Sequence, residues 1–121
     1  MPREDLYLQD IVKSIDDIGR FLHNVEVKKF LADEILQNAV LMKFIVIGEA
    51  MTKIPTEIRE KYPKVKWKQG TGLRNIAAHT YFSVKWEIIW ETATNDLKIL
   101  REQILEILQN DFPDFELRNE N

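Results

Sequence analysis

The stretch Gly72 to Phe82, GLRNIAAHTYF, places Arg74, Asn75, His79 and Tyr81 among small apolar residues, in a chain with two histidines and no cysteine. An imidazole that titrates near neutral pH can take a proton from a ribose 2′-hydroxyl or give one to a leaving 5′-oxygen. A guanidinium can hold the scissile phosphate with two parallel hydrogen bonds and stabilise the charge that builds up in the transition state. Such a pair needs no metal, and because the 2′-hydroxyl is the nucleophile its substrate would be RNA rather than DNA. The same residues also allow a purely structural role, with Arg74 paired to a carboxylate, Asn75 capping a turn and His79 hydrogen-bonded across a bundle. On an ideal helix Asn75 and His79 share a face, whereas Arg74 and His79 diverge by about 140°. Bringing those two to one spot needs a helix break near His79, a long reach by the arginine, or a second copy of the segment.

Other chemistries find less support. Without cysteine a metal site would rest on histidine and carboxylates, and His23 and His79 are far apart with no histidine pair at helical spacing, so no metal and no cofactor are expected. The GTG at Gly70 to Gly72 lacks the preceding strand that a phosphate cradle or dinucleotide site needs. Spacing does not exclude a serine–histidine–acid arrangement, but no nucleophile elbow is present. His23 reads as an inert residue at a helix end, and Tyr81 and Phe82 by themselves read as core or interface aromatics.

The elements that must position the cluster are helical. Leu8, Ile11, Val12, Ile15, Ile18, Phe21 and Leu22 recur at steps of three and four and predict a first amphipathic helix from about Arg3 to Leu22. A second helical region begins within VEVKKFLADEILQNAV and runs to about Lys53, too densely apolar for a surface helix and therefore central. Gly48 inside it costs about 1 kcal/mol relative to alanine, which points to close approach of another backbone or a partner subunit. IPTEIREKYP reads as a short helix capped by Thr56 and ended before Pro63. A third helix starts near Trp67 or, given Gly70 and Gly72, only at about Thr71, and reaches His79. Ser83 is a candidate N-cap for a fourth helix from Val84 to about Asn110, and DFPDFELRNEN would be a frayed tail or a short docking arm. Alternating β-branched segments and hairpin dipeptides are missing. The expected fold is all-α, an up-and-down bundle of four main helices plus a short extra one, in a single domain over residues 1–121.

Size and charge are consistent with this. The 121 residues suffice for one modest core, and 45% hydrophobic with 31% charged residues is ordinary for a globular protein. The charged N-terminus MPREDLYLQD lacks the apolar run of a signal peptide, and AVLMKFIVIGEAM is too short and too interrupted by Lys43 and Glu49 to span a bilayer, so a cytoplasmic protein with no membrane association is expected. The net charge of −3 hides a segregation: residues 53–85 carry eight basic side chains, Lys66 and Lys68 among them, against two acidic ones. A basic segment on an acidic body can attract a phosphate backbone locally, which makes Lys66 and Lys68 candidate RNA contacts, although a solvated lysine-rich loop would look the same.

The block KWKQGTGLRNIAAHTYF, with its R-x4-H-x-Y core, resembles the signature of HepT-like toxins of the HEPN superfamily of helical ribonucleases. The opening LYLQDIVKSIDDIGRFL, the FIVIGEA core and the helix SVKWEIIWETATNDLKIL are similar to that family in order and spacing. The resemblance implies a HEPN-like bundle forming a symmetric homodimer, with Arg74 and His79 as the catalytic pair of a composite, metal-independent ribonuclease site in the cleft and Asn75 orienting them. It further implies a toxin–antitoxin system of the type VII kind, in which an MntA-like nucleotidyltransferase antitoxin transfers AMP from ATP to the signature tyrosine, here Tyr81. A non-catalytic dimeric HEPN module that binds a nucleotidyltransferase is the alternative. The lysine-rich KVKWKQG and Thr80 depart from the common family pattern without touching Arg74, His79 or Tyr81.

Overall fold

The computed structural model of the chain describes residues 4–80 and 85–113. Helix α1 spans Glu4–Phe21, with Glu4 and Asp5 in its first turn and Arg20 in its last, charges that complement the helix dipole. Its buried face is the expected one, Leu8, Ile11, Val12, Ile15 and Ile18. Asn24, with φ of 58°, then turns the chain; asparagine enters the left-handed region more readily than most residues.

The second helical region is divided in two. Helix α2, Val27–Ala32, stops at Asp33, whose extended backbone (φ −115°, ψ 97°) starts α3, Glu34–Thr52. The Asp33 carboxylate accepts from the Leu36 backbone N–H at 3.0 Å, an N-cap that satisfies one of the donors left over at a helix start. Helix α3 is central, packed between α1 and α5. At 19 residues it is longer than its apolar stretch suggested and meets the length and composition needed to cross a membrane, but Val40, Leu41, Phe44, Ile47 and Met51 are buried inside the bundle.

Helix α4 is Thr56–Lys61, and here the expected cap is corrected: Pro55 occupies the N-cap position and Thr56 is already helical. Lys61 and Tyr62 both reach Asp111, at 2.7 and 3.1 Å, pinning this corner to the far end of the last helix. Helix α5 spans Trp67–Thr80, the earlier of the two expected starts. Its indole donates to the Tyr62 carbonyl at 3.0 Å, anchoring the first turn.

The last long element begins as α6, Trp86–Glu91, with Lys85 at its N-cap position; Ser83 and Val84 lie outside the described residues. It passes through a π-helical turn, Thr92–Asp96, into α7, Leu97–Asp111. Ile89, Ala93 and Leu97 are all buried at successive steps of four, which on a regular α-helix would drift by about 80° around the axis. The wider π-turn absorbs drift of this sign and keeps the three side chains on the core. Phe30 of α2 meets Trp86 and Trp90 with ring centroids 6.1 and 5.4 Å apart, docking α2 onto α6.

Four long elements, α1, α3, α5 and α6–α7, thus enclose one core, with α2 and α4 as two short additions where one was expected. Among the described residues there is no strand. One ionic node braces the frame. Asp17, with its side chain 3% exposed, receives Lys13 of its own helix at 3.0 Å and Lys43 of α3 at 2.8 Å, together with Arg20. Burial pushes its pKa up, but the hydrogen bonds from Lys43, Lys13 and Arg20 outweigh this and bring it down to about 2.

Candidate functional site

Helices α3 and α5 cross at two glycines. A Cβ on Gly48 would stand 2.7 Å from the Arg74 backbone nitrogen and 2.9 Å from the Arg74 Cβ, so the expected close approach is real and its partner is the α5 backbone itself. One turn further along α3, the Met51 side chain fills the space above Gly70, where a Cβ would lie 2.1 Å from its terminal methyl. Gly70 is therefore a packing glycine that makes room for Met51 inside α5, and it does not mark the start of the helix. Gly48 facing Arg74 while Met51 faces Gly70 also shows that the two helices run antiparallel.

This crossing decides where Arg74 goes. Glu49 follows Gly48, and its carboxylate forms an ion pair with the Arg74 guanidinium, each side chain 48% exposed. The structural reading of Arg74 as a carboxylate partner is met in this respect. Asn75 and His79 behave otherwise: both are exposed, and neither makes a hydrogen bond or ion pair among the described residues. Asn75 lies mid-helix and caps nothing. Helix α5 runs unbroken through His79 to Thr80, so no break turns the imidazole toward the arginine.

The solvent face of α5 is thus a stripe formed by Lys68, Asn75 and His79, spaced by seven and four residues, with Arg74 rotated off it toward α3. Lys66 precedes the helix on its opposite flank. Lys64, Lys66 and Lys68 are exposed and have no carboxylate partner among the described residues. Tyr81 lies outside the described residues.

Beyond the stripe, away from α3, a groove of about 460 Å³ separates α5 from the π-turn and α7. Leu73, Ile76, Leu97 and Leu100 form its apolar walls, and Lys64, Lys66, Asp96 and Gln103 stand on its rim. Neither Glu49 nor this groove was picked out from sequence. Glu49 was legible only as a charge interrupting an apolar run, and which cation it meets depends on the antiparallel crossing at Gly48. Among the described residues no three His, Cys, Asp or Glu side chains gather in a way that could hold a metal ion.

The sequence has counterparts among known proteins. The family model for HepT-like ribonucleases matches residues 11–107, a span that includes the whole of α3 and α5. The chain belongs to the HepT-like ribonuclease family. A relative from Methanocaldococcus jannaschii named "Putative RNase MJ1216" is 37% identical over 100% of this chain and 98% of its own length. "Putative RNase TTE0752" of Caldanaerobacter subterraneus is 35% identical over 87% of this chain and 94% of its own. "Probable ribonuclease HepT" of Thermococcus cleftensis is 32% identical over 78% of this chain and 86% of its own. No solved structure gives a significant match. The HepT-like assignment agrees with the all-helical fold of the described residues.

Proposed function

We propose that this protein is a metal-independent endoribonuclease toxin whose site is completed by a second copy of the chain. The observation that carries the proposal is the divergence of Arg74 and His79 on an unbroken α5. A single protomer offers an imidazole to solvent and an arginine toward Glu49. A two-fold axis along the α5 stripe sets each helix against its counterpart and supplies both groups from both sides of one cleft.

The surface supports such an axis. Gly72 sits on the outer side of α5 with nothing among the described residues within 4 Å of an added Cβ, so none of them explains the missing side chain. Ala78 and Asn75 continue this low profile, and Ile45 and Met42 of α3, the latter 58% exposed, leave apolar surface beside it. Small residues flanked by exposed aliphatic ones suit close approach of a second helix pair.

In the assembled cleft one His79 removes the proton of the ribose 2′-hydroxyl, which attacks the adjacent phosphorus. The 5′-oxygen leaves with a proton from the other His79, giving a 2′,3′-cyclic phosphate and a 5′-hydroxyl end. Arg74 holds the non-bridging oxygens and stabilises their growing charge, Asn75 orients the substrate phosphate, and Lys66 and Lys68 hold flanking phosphates. Arg74 must first exchange Glu49 for RNA. An exposed ion pair is worth at most about 1 kcal/mol, so the exchange costs little.

Control by an MntA-like nucleotidyltransferase follows from the same chemistry. Tyr81 is two residues after His79, and AMP attached there would place negative phosphate and bulk beside the site where the RNA phosphate must bind. The test is cleavage of single-stranded RNA in EDTA by wild type, Arg74→Ala and His79→Ala, before and after AMP transfer. Loss of cutting in both variants and after modification is expected. Equal behaviour of wild type and His79→Ala would leave the alternative, a dimeric module that binds the nucleotidyltransferase, in which the Arg74–Glu49 pair serves only structure.

A further inference from the structure

We infer that the groove between α5 and α7 is a nucleobase subsite that reads an unpaired guanine of the RNA substrate. The inference rests on the ribonuclease reading and names a specificity which that reading leaves open.

The groove has the build of a small-ligand site. Its volume of about 460 Å³ falls in the usual range for such pockets, and its walls are aliphatic while a few polar groups stand at the edge. Leu73 and Ile76 on one side and Leu97 and Leu100 on the other leave a slot that can cover both faces of a planar base. One wall is built on the π-turn, which lines the groove through Thr92 and Asp96; such turns inside α-helices are frequent at functional sites.

Charge selects the occupant. Lys64 and Lys66 on the rim have no carboxylate partner among the described residues, so the mouth favours a polyanion. Asp96 is likewise without a hydrogen bond or ion pair among the described residues. An ionised carboxylate only accepts hydrogen bonds, through two oxygens side by side. Guanine is the RNA base whose Watson–Crick edge presents two adjacent donors, N1–H and the N2 amino group, and it matches Asp96 in a bidentate pair. Gln103 stands two turns beyond Asp96, where its amide donates to the Lys64 carbonyl at 3.5 Å and holds that part of the rim in place. An apolar peptide would fill the slot but would leave Asp96 and both lysines unanswered.

Position links the groove to the chemistry. Ile76 precedes His79 by three residues, about 4.5 Å of rise and 60° of turn on α5. A base seated against Ile76 therefore belongs to a nucleotide next to the one whose phosphate meets His79.

The test uses single-stranded RNAs that differ at one position, with G, A, C or U there, and maps cleavage by sequencing the ends. Wild type should prefer G at a fixed place beside the scissile bond by about tenfold or more, the discrimination expected of a good bidentate pair. Asp96→Asn should bring that preference to within about threefold, because the amide offers one acceptor and one donor. Ile76→Gln should weaken cutting of G-containing RNA, while Lys98→Ala, an exposed change on α7 outside the groove lining, should keep the preference. Binding of the same RNAs to His79→Ala protein is measured in parallel. If wild type cuts RNA with no preference, or Asp96→Asn keeps the wild-type preference, the groove is not a guanine site although the ribonuclease reading stands. If nothing is cut but guanine-selective binding is present and is lost in Asp96→Asn, the groove proposal holds and the ribonuclease reading falls. Displacement of an apolar peptide without any oligonucleotide binding would overturn the groove proposal in favour of a protein-docking role.

Discussion

At the residue scale the informative pair is Arg74 with Glu49, because it couples a proposed phosphate ligand to a carboxylate that RNA must replace. Glu49→Gln keeps the shape and removes the competing charge. Substrate KM should fall by up to about fivefold, the equivalent of roughly 1 kcal/mol for an exposed pair, with little change in kcat. A rise in KM would mean instead that Glu49 holds Arg74 in its working orientation. His79→Ala should lower kcat by about 10²-fold or more, as loss of a proton-transfer group does, while leaving thermal unfolding unchanged because the imidazole is exposed and unbonded among the described residues. The residue types of the catalytic pair were readable in the sequence, since only arginine and histidine bring bidentate phosphate binding and near-neutral proton transfer. Glu49 was not readable, because nothing near it in sequence says which cation it faces.

At the scale of elements the two glycines of the outer and inner faces of the helices make opposite predictions. Gly48→Ala puts a methyl 2.7 Å from the Arg74 backbone nitrogen, and backbone cannot swing aside. Forcing α3 and α5 apart should cost about 1–3 kcal/mol, measurable by urea unfolding. Gly72→Ala meets no atom of the described residues within 4 Å and gains helix propensity, so each protomer should be stabilised by about 1 kcal/mol. If a second copy packs against this face, the same substitution should weaken dimerisation in sedimentation experiments and lower cleavage with it. Unchanged dimerisation would move the two-fold axis away from Gly72. Periodicity located the long helices well, because one apolar face repeats every three to four residues. It missed the division at Asp33, where one side-chain cap ends the pattern, and the π-turn, which preserves the buried face and so leaves almost no trace in it.

At the scale of the whole molecule the Asp17 node couples α1 to α3 and makes stability depend on pH. Its pKa is about 2 in the folded protein against 3.8 ordinarily, so the bonus is present above pH 4 and fades as pH falls toward 2. The loss should be roughly 2 kcal/mol, seen as an acid limb in urea midpoints that Asp17→Asn flattens. Above pH 4 the same variant should be less stable than wild type, because Lys43 loses its 2.8 Å partner at the α1–α3 contact. A single protomer also displays apolar surface on α3, Ile35 at 84% exposed and Met42 among it. The proposed dimer covers part of that area, and activity should accordingly fall on dilution through the dimer dissociation constant.

By itself the sequence determined the helical class, the number of long helices, the residue types of the site and the resemblance to the HepT-like family, because side-chain chemistry and helical period are local properties. Tertiary structure decided which way Arg74 faces, that α5 does not break at His79, and that Asp96 and the basic rim of Lys64 and Lys66 border one groove. Each of these depends on how two helices cross, and a crossing is set by the fit of side chains far apart in the chain, above all Gly48 against Arg74 and Met51 against Gly70.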